Sequence, residues 1–324
     1  MNGNANKHRA ILERSGWADA TSIPLAGDAS QRRYERLQNP DGTTAILMIA
    51  PTERGNGLQI FEKIASHLNA MRLSAPQIID RDANSGLMLL EDLGDELFAR
   101  LMANDPTLES DLYFAAIDVL VELRAVPPID CQTYDAREMA RQSGIVFDWY
   151  CGVDGTGLIP ALEAVFGSIS SDRCLALRDY HSENLIWLAG REGTARVGLL
   201  DFQDAVIAHP AYDLVSLLQD ARRDIGDGVA QKAVTYYIHQ TGEDPARFGY
   251  DYAVIGVQRN LRILGVFARL SKQFHKPSYV DLIPRVWAHL MNDLSHPDLG
   301  NLRELVISSI PEPTQSHLEA LRAQ

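Results

Sequence analysis

Two short stretches decide the fold of this 324-residue chain: Leu177-Arg178-Asp179-Tyr180-His181-Ser182-Glu183-Asn184 and Leu199-Leu200-Asp201-Phe202-Gln203. Transfer of a phosphoryl group requires a carboxylate that accepts the proton of the acceptor hydroxyl, and oxygen ligands that hold magnesium across the phosphates. Asp179 is the expected base, and Asn184 and Asp201 are the expected metal ligands. Either stretch alone occurs often by chance, but both in this order predict a phosphoryl-transfer site.

The segment between the two stretches predicts a β-hairpin. Asp201 lies 22 residues after Asp179 (201 minus 179). Two apolar runs, Leu185-Ile186-Trp187-Leu188 and Val197-Gly198-Leu199-Leu200, flank a turn-like segment at 189–193. Short apolar runs separated by glycine-containing turns are typical of paired strands. The gap between the stretches therefore fits two short strands and a turn.

The first 94 residues predict a small antiparallel sheet with one main helix. Small residues within 26–37 indicate a turn between two strands, and the turn signal at 39–42 leads into a third strand over 43–50. Apolar residues at helical spacing predict a helix over 58–72. The other elements predicted here are a short helix over 7–16 and strands over 76–80 and 86–90.

Beyond residue 94 the pattern changes to long helices, interrupted by the predicted hairpin. We therefore place a domain boundary near residue 94, with a nucleotide-binding lobe at 1–94 and a catalytic, acceptor-binding lobe at 95–324. The class is α+β. The helices predicted in the second lobe cover 107–125, 136–150, 213–223, 228–241 and 250–271, with a last helix near 299–308.

Composition narrows the functional classes. A net charge of -13 argues against a protein that binds nucleic-acid polymers or anionic membranes, because such proteins present a basic surface. Cys131, Cys151 and Cys174 are odd in number and share no short spacing, which suggests neither a disulfide framework nor a zinc site. No signal-peptide or membrane-spanning run is visible. We expect a cytoplasmic protein.

Several motifs taken in order resemble the aminoglycoside phosphotransferase and choline kinase family, and the resemblance covers nearly the whole chain. The resemblance implies a bilobal protein-kinase-like fold with a mostly helical C-terminal lobe, an activity that phosphorylates a small molecule, and the cofactors ATP and Mg. The motifs are Ser-Gln-x-x-Tyr at 30–34, Leu-Glu-Asp-Leu-Gly at 90–94, the stretch 179–184, Asp-Phe-Gln-Asp-Ala at 201–205 and Pro-Ala-Tyr-Asp-Leu at 210–214.

Four segments, at 27–34, 201–206, 212–220 and 258–270, resemble a narrower group. They are similar to the bacterial N-acetylmuramate/N-acetylglucosamine anomeric kinases of cell-wall recycling. That resemblance implies phosphorylation of a sugar at its C1 hydroxyl. The expected partners are then a nucleotide and an amino sugar, and we expect a monomer.

The nucleotide-binding residues are expected in the first lobe. The segment 27–33 stands where kinases have a glycine-rich loop, and its amides and the Ser30 hydroxyl could approach phosphates. Only one glycine is present, so an ordinary hairpin explains this segment as well. Backbone groups of 91–93 are expected to meet the adenine edge. The expected nucleotide contacts are Gly27, Asp28, Ser30, Arg32, Arg33, Met48, Glu91 and Leu93.

Met48 is the clearest departure from the kinase pattern, which has a phosphate-binding lysine on the third strand. An arginine on the preceding strand could reach the same phosphates with a bidentate guanidinium. We favour Arg33 over Arg32 for this role. Glu62, whose usual partner is that lysine, is then expected on a solvated helix face.

The acceptor pocket is expected to involve Trp149 and Tyr150, which could stack on a sugar. Arg222, Arg259 and Arg262 could bind a lactyl carboxylate, whereas an aminoglycoside would require clustered acidic residues. Aromatic residues at helical spacing are more often part of a core, and arginines are more often solvated or paired. Both interpretations stay open for these five residues.

Three residues are expected to support the site without touching the substrate. His181 lies inside the catalytic stretch and is expected to hold the loop by packing or hydrogen bonding. Asp213 is expected to cap its helix or to fix the catalytic loop. Asp204 of the Asp-Phe-Gln-Asp-Ala motif is grouped with them.

Two alternative functions stay open. The first keeps the enzyme and changes the acceptor to an aminoglycoside, a choline-like amine or a homoserine-like metabolite. The second, motivated by Met48, is a non-catalytic pseudokinase-like protein that binds a nucleotide.

Overall fold

The computed structural model describes residues 2–25, 32–50, 56–152, 155, 157–226 and 228–322. Their Cα positions group into two compact units. The N-terminal unit comprises Met1–Asn104 with Glu183–Gln203, and the C-terminal unit comprises Asp105–Ser182 with Asp204–Gln324. The hairpin thus groups with the first hundred residues. The boundary near residue 94 stays a prediction.

The described residues form nine strands and twelve α-helices, with short 3₁₀ and π turns between them. The strands are β1 (Thr21–Pro24), β2 (Arg33–Gln38), β3 (Thr44–Ile49), β4 (Ile78–Asp82), β5 (Leu87–Glu91), β6 (Cys174–Ala176), β7 (Leu185–Trp187), β8 (Val197–Leu199) and β9 (Val206–Ala208). The helices are α1 (Asn2–Arg14), α2 (Asn56–Ala70), α3 (Phe98–Asn104), α4 (Glu109–Ala125), α5 (Ala136–Ser143), α6 (Ile159–Phe166), α7 (Ala211–Leu218), α8 (Val229–Thr241), α9 (Pro245–Phe274), α10 (Ile283–Asp293), α11 (Gly300–Ser309) and α12 (Gln315–Arg322).

The N-terminal unit is built on a five-stranded antiparallel sheet in the order β1-β2-β3-β5-β4. Side chains alternate between the two faces of a strand. One face carries buried residues such as Leu37, Leu47 and Leu89, which cluster with Ile11 of α1 and with Trp17. The predicted small antiparallel sheet is confirmed. Helix α1, which corresponds to the short helix predicted over 7–16, contributes Ile11 to this core.

The predicted hairpin is also confirmed. Strand β7 pairs antiparallel with β8, with Leu185 opposite Leu199 and Trp187 opposite Val197. The hairpin is attached to the rest of its unit through Ser74, whose carbonyl accepts the Leu199 amide (2.9 Å) and whose hydroxyl donates to a carbonyl of the hairpin connection. Backbone pairing therefore sets the positions of the residues at both strand ends.

The C-terminal unit is mostly helical and contains two deeply buried helices. The 30-residue α9 starts with Asp244 as N-cap, whose side chain accepts the Arg247 amide, and ends where His275 adopts a left-handed conformation. All eight residues of α7 are buried. A helix that is apolar on every side is expected to lie inside the core. Among its polar side chains, Asp213 and Ser216 must therefore find partners within the protein.

The structure corrects three helix predictions. The helix predicted over 213–223 starts two residues earlier and ends five residues earlier, as α7 (Ala211–Leu218). The predicted helix over 136–150 divides into α5 and a π-helical segment, Val146–Cys151. A Cβ atom at Gly265 of α9 would lie only 2.5 Å from the Ile145 carbonyl carbon, so this tertiary contact accompanies the change of helix type. The helix predicted near 299–308 is present as α11, but α12 follows it. Among the described residues, no helix combines the length and apolarity needed to cross a membrane.

Candidate active site

Asp179 lies in the C-terminal unit, shortly after β6, which pairs antiparallel with β9. Its side chain is partly exposed, whereas Leu177 before it and Tyr180 after it are buried. The Tyr180 hydroxyl donates to the Ala116 carbonyl of α4 (2.8 Å). The loop is therefore anchored by its neighbours and leaves the Asp179 carboxylate accessible, as a general base requires.

Asp213 of α7 holds the backbone immediately before Asp179. Its carboxylate accepts the Leu177 amide (2.5 Å) and the Arg178 amide (2.9 Å). Burial raises the pKa of Asp213 to about 7, against the lowering effect of these two donors. The expectation that Asp213 fixes the catalytic loop agrees with this geometry.

Two of the candidate loops contain an unusual backbone conformation. Among the described residues other than glycine, positive φ occurs at Arg72, Arg178, Asp201 and His275. Arg72 and His275 follow the ends of helices, but Arg178 (φ 72°) directly precedes the expected base and Asp201 (φ 56°) is an expected metal ligand. A left-handed residue with a Cβ costs about 1–2 kcal/mol, and such strain concentrates at functional sites.

His181 is buried and supports the loop that carries Asp179 from the protein interior. Its amide donates to the Asp179 carbonyl (3.2 Å). Burial lowers the pKa of His181 to about 4, against the raising effect of Asp220. The imidazole is therefore uncharged at neutral pH, in agreement with the expected supporting role.

Asn184 and Asp201 come together at one end of the hairpin in the N-terminal unit. Asn184 directly precedes β7, and its carbonyl accepts the Leu200 amide (3.0 Å), which extends the ladder by one pair. Asp201 directly follows Leu200 and is exposed. Its Oδ1 accepts a hydrogen bond from the Gln203 side-chain amide (2.7 Å). The register therefore brings both expected ligands to the same strand ends.

The hairpin end has donor atoms that fit Mg²⁺. Asn184 and Asp201 supply an amide and a carboxylate oxygen, and both residues retain solvent exposure. Among the described residues, no group of three or more His, Cys, Asp or Glu side chains could hold a metal by itself. Mg²⁺ commonly takes one or two protein ligands and fills its shell with water and phosphate oxygens, which suits this pair.

Asp204 contacts the catalytic loop through its backbone. The Arg178 guanidinium donates to the Asp204 carbonyl (3.3 Å), while the Asp204 side chain is exposed. The segment after the Asp-Phe-Gln motif is thus tied to the residue before Asp179. The carboxylate itself has no structural role in this contact.

Met48 is completely buried and lies opposite Tyr34 on β2 and Met88 on β5. Because side chains alternate, Arg33 of β2, which pairs with Ile49, is on the other face of the sheet. Arg32 is two residues before Tyr34 and is largely buried. The register therefore places Arg33 on the face opposite Met48, which weighs against the expected preference for Arg33, and the phosphate-binding arginine stays a prediction. The segment with Gly27, Asp28 and Ser30 lies outside the described residues.

Sequence reasoning missed Arg36, which alternates onto the same face as Tyr34 and Met48. Its guanidinium forms ion pairs with Asp92 (2.7 Å) and Asp95 (2.6 Å). Side chains alternate between the faces of a strand, and this alternation could have placed Arg36 on the same face as Tyr34 from the sequence alone. Glu62 forms an ion pair with Arg81 of β4, and both side chains are partly exposed. The expected position of Glu62 on a solvated helix face agrees with this, but the ion pair was not expected.

Glu91 has less capacity for nucleotide recognition than expected. Its amide donates to the Gln77 carbonyl (2.8 Å), and its carboxylate accepts from the Arg191 guanidinium (2.5 Å). Adenine recognition at this strand end would therefore use the Glu91 carbonyl and the backbone of Leu93, whose side chain is buried. These contacts stay predictions.

The two aromatic acceptor candidates differ in their surroundings. Tyr150 is buried, its hydroxyl donates to the Pro311 carbonyl (2.8 Å), and its ring contacts His317 edge-on (4.6 Å). The core interpretation holds for Tyr150. Trp149 is partly exposed in the same π-helical segment and keeps its predicted stacking role. π-Helical turns are rare and frequent at functional sites.

The three arginine candidates also differ in burial. Arg259 of α9 is buried and donates to the Ser216 hydroxyl (2.8 Å), while Arg222 and Arg262 are partly exposed. The Arg222 guanidinium lies 3.6 Å from the buried Asp220 carboxylate. Burial lowers the pKa of Arg259, and the charge of Asp179 opposes this effect. Positive charge therefore lies near the expected base within the C-terminal unit.

Comparison with known proteins gives a consistent result. Residues 21–249 match the model of the phosphotransferase enzyme family. An N-acetylmuramate/N-acetylglucosamine kinase from Caulobacter vibrioides is 37% identical, over 94% of this chain and 96% of that protein. A choline/ethanolamine kinase family protein from Mesorhizobium loti has a similar fold, with a TM-score of 0.63, 13% identity, and 98% and 99% of the two chains covered. An aminoglycoside phosphotransferase from Streptomyces rimosus, solved with ADP and streptomycin, has a TM-score of 0.54 and 18% identity over 81% of this chain and 99% of its own.

Proposed function

Because the chain belongs to the phosphotransferase enzyme family, we propose that it is an ATP- and magnesium-dependent kinase of the anomeric C1 hydroxyl of N-acetylmuramate and N-acetylglucosamine. The observation that carries the proposal is the full-length similarity to a kinase named for these two sugars, together with Asp179, Asn184 and Asp201 in their loops. The acceptor class rests on the similarity, and the chemistry rests on the residues.

Asp179 is the proposed base. Its accessible carboxylate would accept the proton of the sugar hydroxyl as the sugar oxygen bonds to the terminal phosphorus of ATP, while the bond from that phosphorus to the ADP oxygen breaks and ADP leaves. An anomeric hydroxyl is more acidic than an ordinary alcohol, which makes its deprotonation by a carboxylate easier. Bound magnesium would supply charge neutralisation at the phosphates, with Asn184 and Asp201 as its protein ligands.

The positive groups near Asp179 support an acceptor with a carboxylate. Arg259 and Arg222 belong to the same unit as Asp179, and N-acetylmuramate carries a lactyl carboxylate that N-acetylglucosamine lacks. Arg222, Arg259 and Arg262 are therefore the proposed residues for selecting the acidic sugar, with Trp149 as a stacking residue.

The test is a direct measurement of phosphoryl transfer from ATP. The purified protein is incubated with N-acetylmuramate, N-acetylglucosamine, kanamycin or choline, with magnesium or with EDTA, and products are identified by phosphorus NMR. We expect both amino sugars to give an anomeric phosphate that depends on magnesium. Absence of turnover with either amino sugar would overturn the proposed acceptor.

A second candidate is a nucleotide-binding protein without catalytic activity, favoured by the buried Met48 in place of the strand lysine. It predicts ATP binding by calorimetry and no transfer to any acceptor in excess magnesium. Turnover with any hydroxyl acceptor eliminates it. Turnover with choline or kanamycin alone would keep the enzyme and replace the acceptor.

A further inference from the structure

The backbone at Arg178 forms a strained tight turn. The Asp179 amide donates to the Leu177 carbonyl (3.0 Å), so the hydrogen bond closes over Arg178 alone. With φ of 72° at Arg178, this is the γ-turn form with positive φ, which is rare for a residue with a Cβ. A turn of this kind persists only when its surroundings hold it.

Every backbone polar group of the turn has a defined partner. The Leu177 and Arg178 amides donate to Asp213, and the Leu177 carbonyl accepts from Asp179. Two carbonyls remain: that of Asp179 accepts the His181 amide (3.2 Å), and that of Arg178 accepts the Ser216 hydroxyl (2.9 Å). Ser216 thus holds the peptide plane that connects Arg178 to Asp179.

Ser216 is itself oriented by Arg259. Ser216 has no solvent exposure, and its oxygen accepts a hydrogen bond from the Arg259 guanidinium (2.8 Å). Because that donor occupies a lone pair of the oxygen, the hydroxyl hydrogen remains for the Arg178 carbonyl. A charged donor also polarises the hydroxyl and strengthens its own donation.

This arrangement differs from the common behaviour of serine in a helix. A helical serine usually bonds a carbonyl of its own helix, four residues earlier, or faces water. The Ser216 hydroxyl instead reaches a carbonyl 38 positions away in sequence (216 minus 178), in the segment that carries the base. Neither Ser216 nor its hydrogen bond is needed to complete α7.

We propose that Ser216, oriented by Arg259, is a positioning residue that keeps the Arg178 carbonyl fixed and thereby directs the Asp179 carboxylate toward the acceptor hydroxyl. The inference rests on the proposed role of Asp179 as base. It assigns α7 two functions at one turn, since Asp213 holds the amides and Ser216 holds the carbonyl. Loss of Ser216 should then lower the rate of the chemical step and leave the binding of ATP and N-acetylglucosamine intact.

The test compares Ser216→Ala with Ser271→Ala. Ser271 is the matched control because it is also a buried serine that donates to the backbone carbonyl of a distant segment, Leu321, at 2.9 Å. We expect Ser216→Ala to lower kcat about tenfold to a hundredfold with N-acetylglucosamine, the sugar without a lactyl carboxylate, while the KM values for this sugar and for ATP stay within about twofold, as the loss of one buried hydrogen bond would do. Ser271→Ala should lose thermal stability and retain kcat.

A graded variant and a measurement without turnover complete the test. Ser216→Cys keeps the volume but donates weakly, so its kcat should fall between those of Ser216 and Ser216→Ala. Hydrogen exchange at the Asp179 amide should accelerate in Ser216→Ala and stay unchanged in Ser271→Ala. Unchanged kcat and unchanged exchange in both Ser216 variants would overturn the inference. A full rate in Asp179→Ala would instead overturn the proposed base, while the exchange result would still report on the turn.

Discussion

The catalytic loop of the C-terminal unit and the hairpin of the N-terminal unit are held by different means. The loop before Asp179 is held by two buried side chains of one helix, Asp213 and Ser216. The hairpin ends at Asn184 and Asp201 are set by backbone pairing, and the supporting ion pair of Arg191 with Glu91 is partly exposed. Backbone pairing tolerates side-chain substitution, whereas a strained turn fixed by buried side chains does not.

The difference predicts where substitutions reduce activity. Changes to α7 should affect the rate, because no other side chain described at that turn replaces Asp213 or Ser216. Changes around the hairpin should affect stability modestly, because its hydrogen-bond ladder remains.

The largest effect is expected for Asp179→Ala. Removal of a general base should lower kcat about 10²- to 10⁴-fold, because the acceptor proton loses its recipient. The ATP dissociation constant, measured by calorimetry, should change less than about twofold. Asp111→Ala, which removes an exposed carboxylate of the same unit, should leave kcat unaltered. Loss of ATP binding in Asp179→Ala would contradict the assigned role.

Asp213→Asn should lower kcat about 100-fold. The asparagine can accept one of the two amides, but its own NH₂ group would face the other donor, and a buried unsatisfied group costs roughly 1–3 kcal/mol. Steady-state kinetics and thermal unfolding would be measured together. Asp204→Asn, at an exposed carboxylate, is the comparison that should show full activity. An active, stable Asp213→Asn would mean that the loop is held by other groups.

The pH dependence of stability should contain a large contribution from Asp293 in the C-terminal unit. Its buried carboxylate accepts the side-chain amides of Gln219 (2.8 Å) and Asn260 (3.0 Å), and burial raises its pKa to about 8. The folded state therefore binds the proton more tightly than the unfolded state does. The stabilising contribution is complete below pH about 4 and is lost as pH rises through about 8.

Urea unfolding between pH 5 and 8 would measure this contribution by comparing the protein with Asp293→Asn. The free energy of unfolding should depend less on pH in the variant, by up to about 1.4 kcal/mol per pH unit. His181 acts in the opposite direction, since its pKa of about 4 removes stability as pH falls below about 6.5. Because the unchanged protein and Asp293→Asn both contain His181, the His181 contribution cancels when their unfolding free energies are subtracted. Asp298→Asn, at an exposed site, should keep the original slope.

The smallest effect is expected for Arg191→Ala at the hairpin. Its guanidinium contacts Glu91 (2.5 Å) and the Ser74 hydroxyl (2.6 Å), but the Arg191 side chain is about one-third exposed. We expect a loss of about 1 kcal/mol in unfolding free energy and a kcat within about twofold. Arg9→Ala removes an exposed pair with Glu13 and should lose less. A large fall in kcat for Arg191→Ala would contradict the proposed difference between the catalytic loop and the hairpin.

The sheet and the hairpin could be predicted because their signals are local. Alternating apolar residues and turn residues define β2, β3, β7 and β8 without reference to distant contacts. The division of the 136–150 helix could not be predicted, since it accompanies the close approach of Gly265 from another helix. The role of Ser216 could not be predicted either, because it also depends on a tertiary contact. A single serine in an apolar helix gives no sign of a partner 38 residues earlier.

The site residues also divide into those that a local sequence signal predicts and those whose position depends on the folded structure. Asp179, Asn184 and Asp201 stand in a recognisable order, so their loops were expected and are present. The preference for Arg33 over Arg32 was made without knowing which face of β2 carries Arg33, and the pairing of Tyr34 with Met48 shows that Arg33 lies on the other face. The resemblance to known kinases supplied the acceptor class, which no spacing in the chain specifies.

The buried Met48 has a consequence for chemical labelling. Reagents that profile kinases through an acylating nucleotide rely on a nucleophilic amine beside the phosphates. The five lysines of this chain, at positions 7, 63, 232, 272 and 276, all lie outside β1–β5, and Met48 offers only a shielded thioether. Such reagents should leave β3 unmodified even when ATP protects other sites. Inventories of active kinases that depend on lysine capture will therefore under-represent enzymes built like this one.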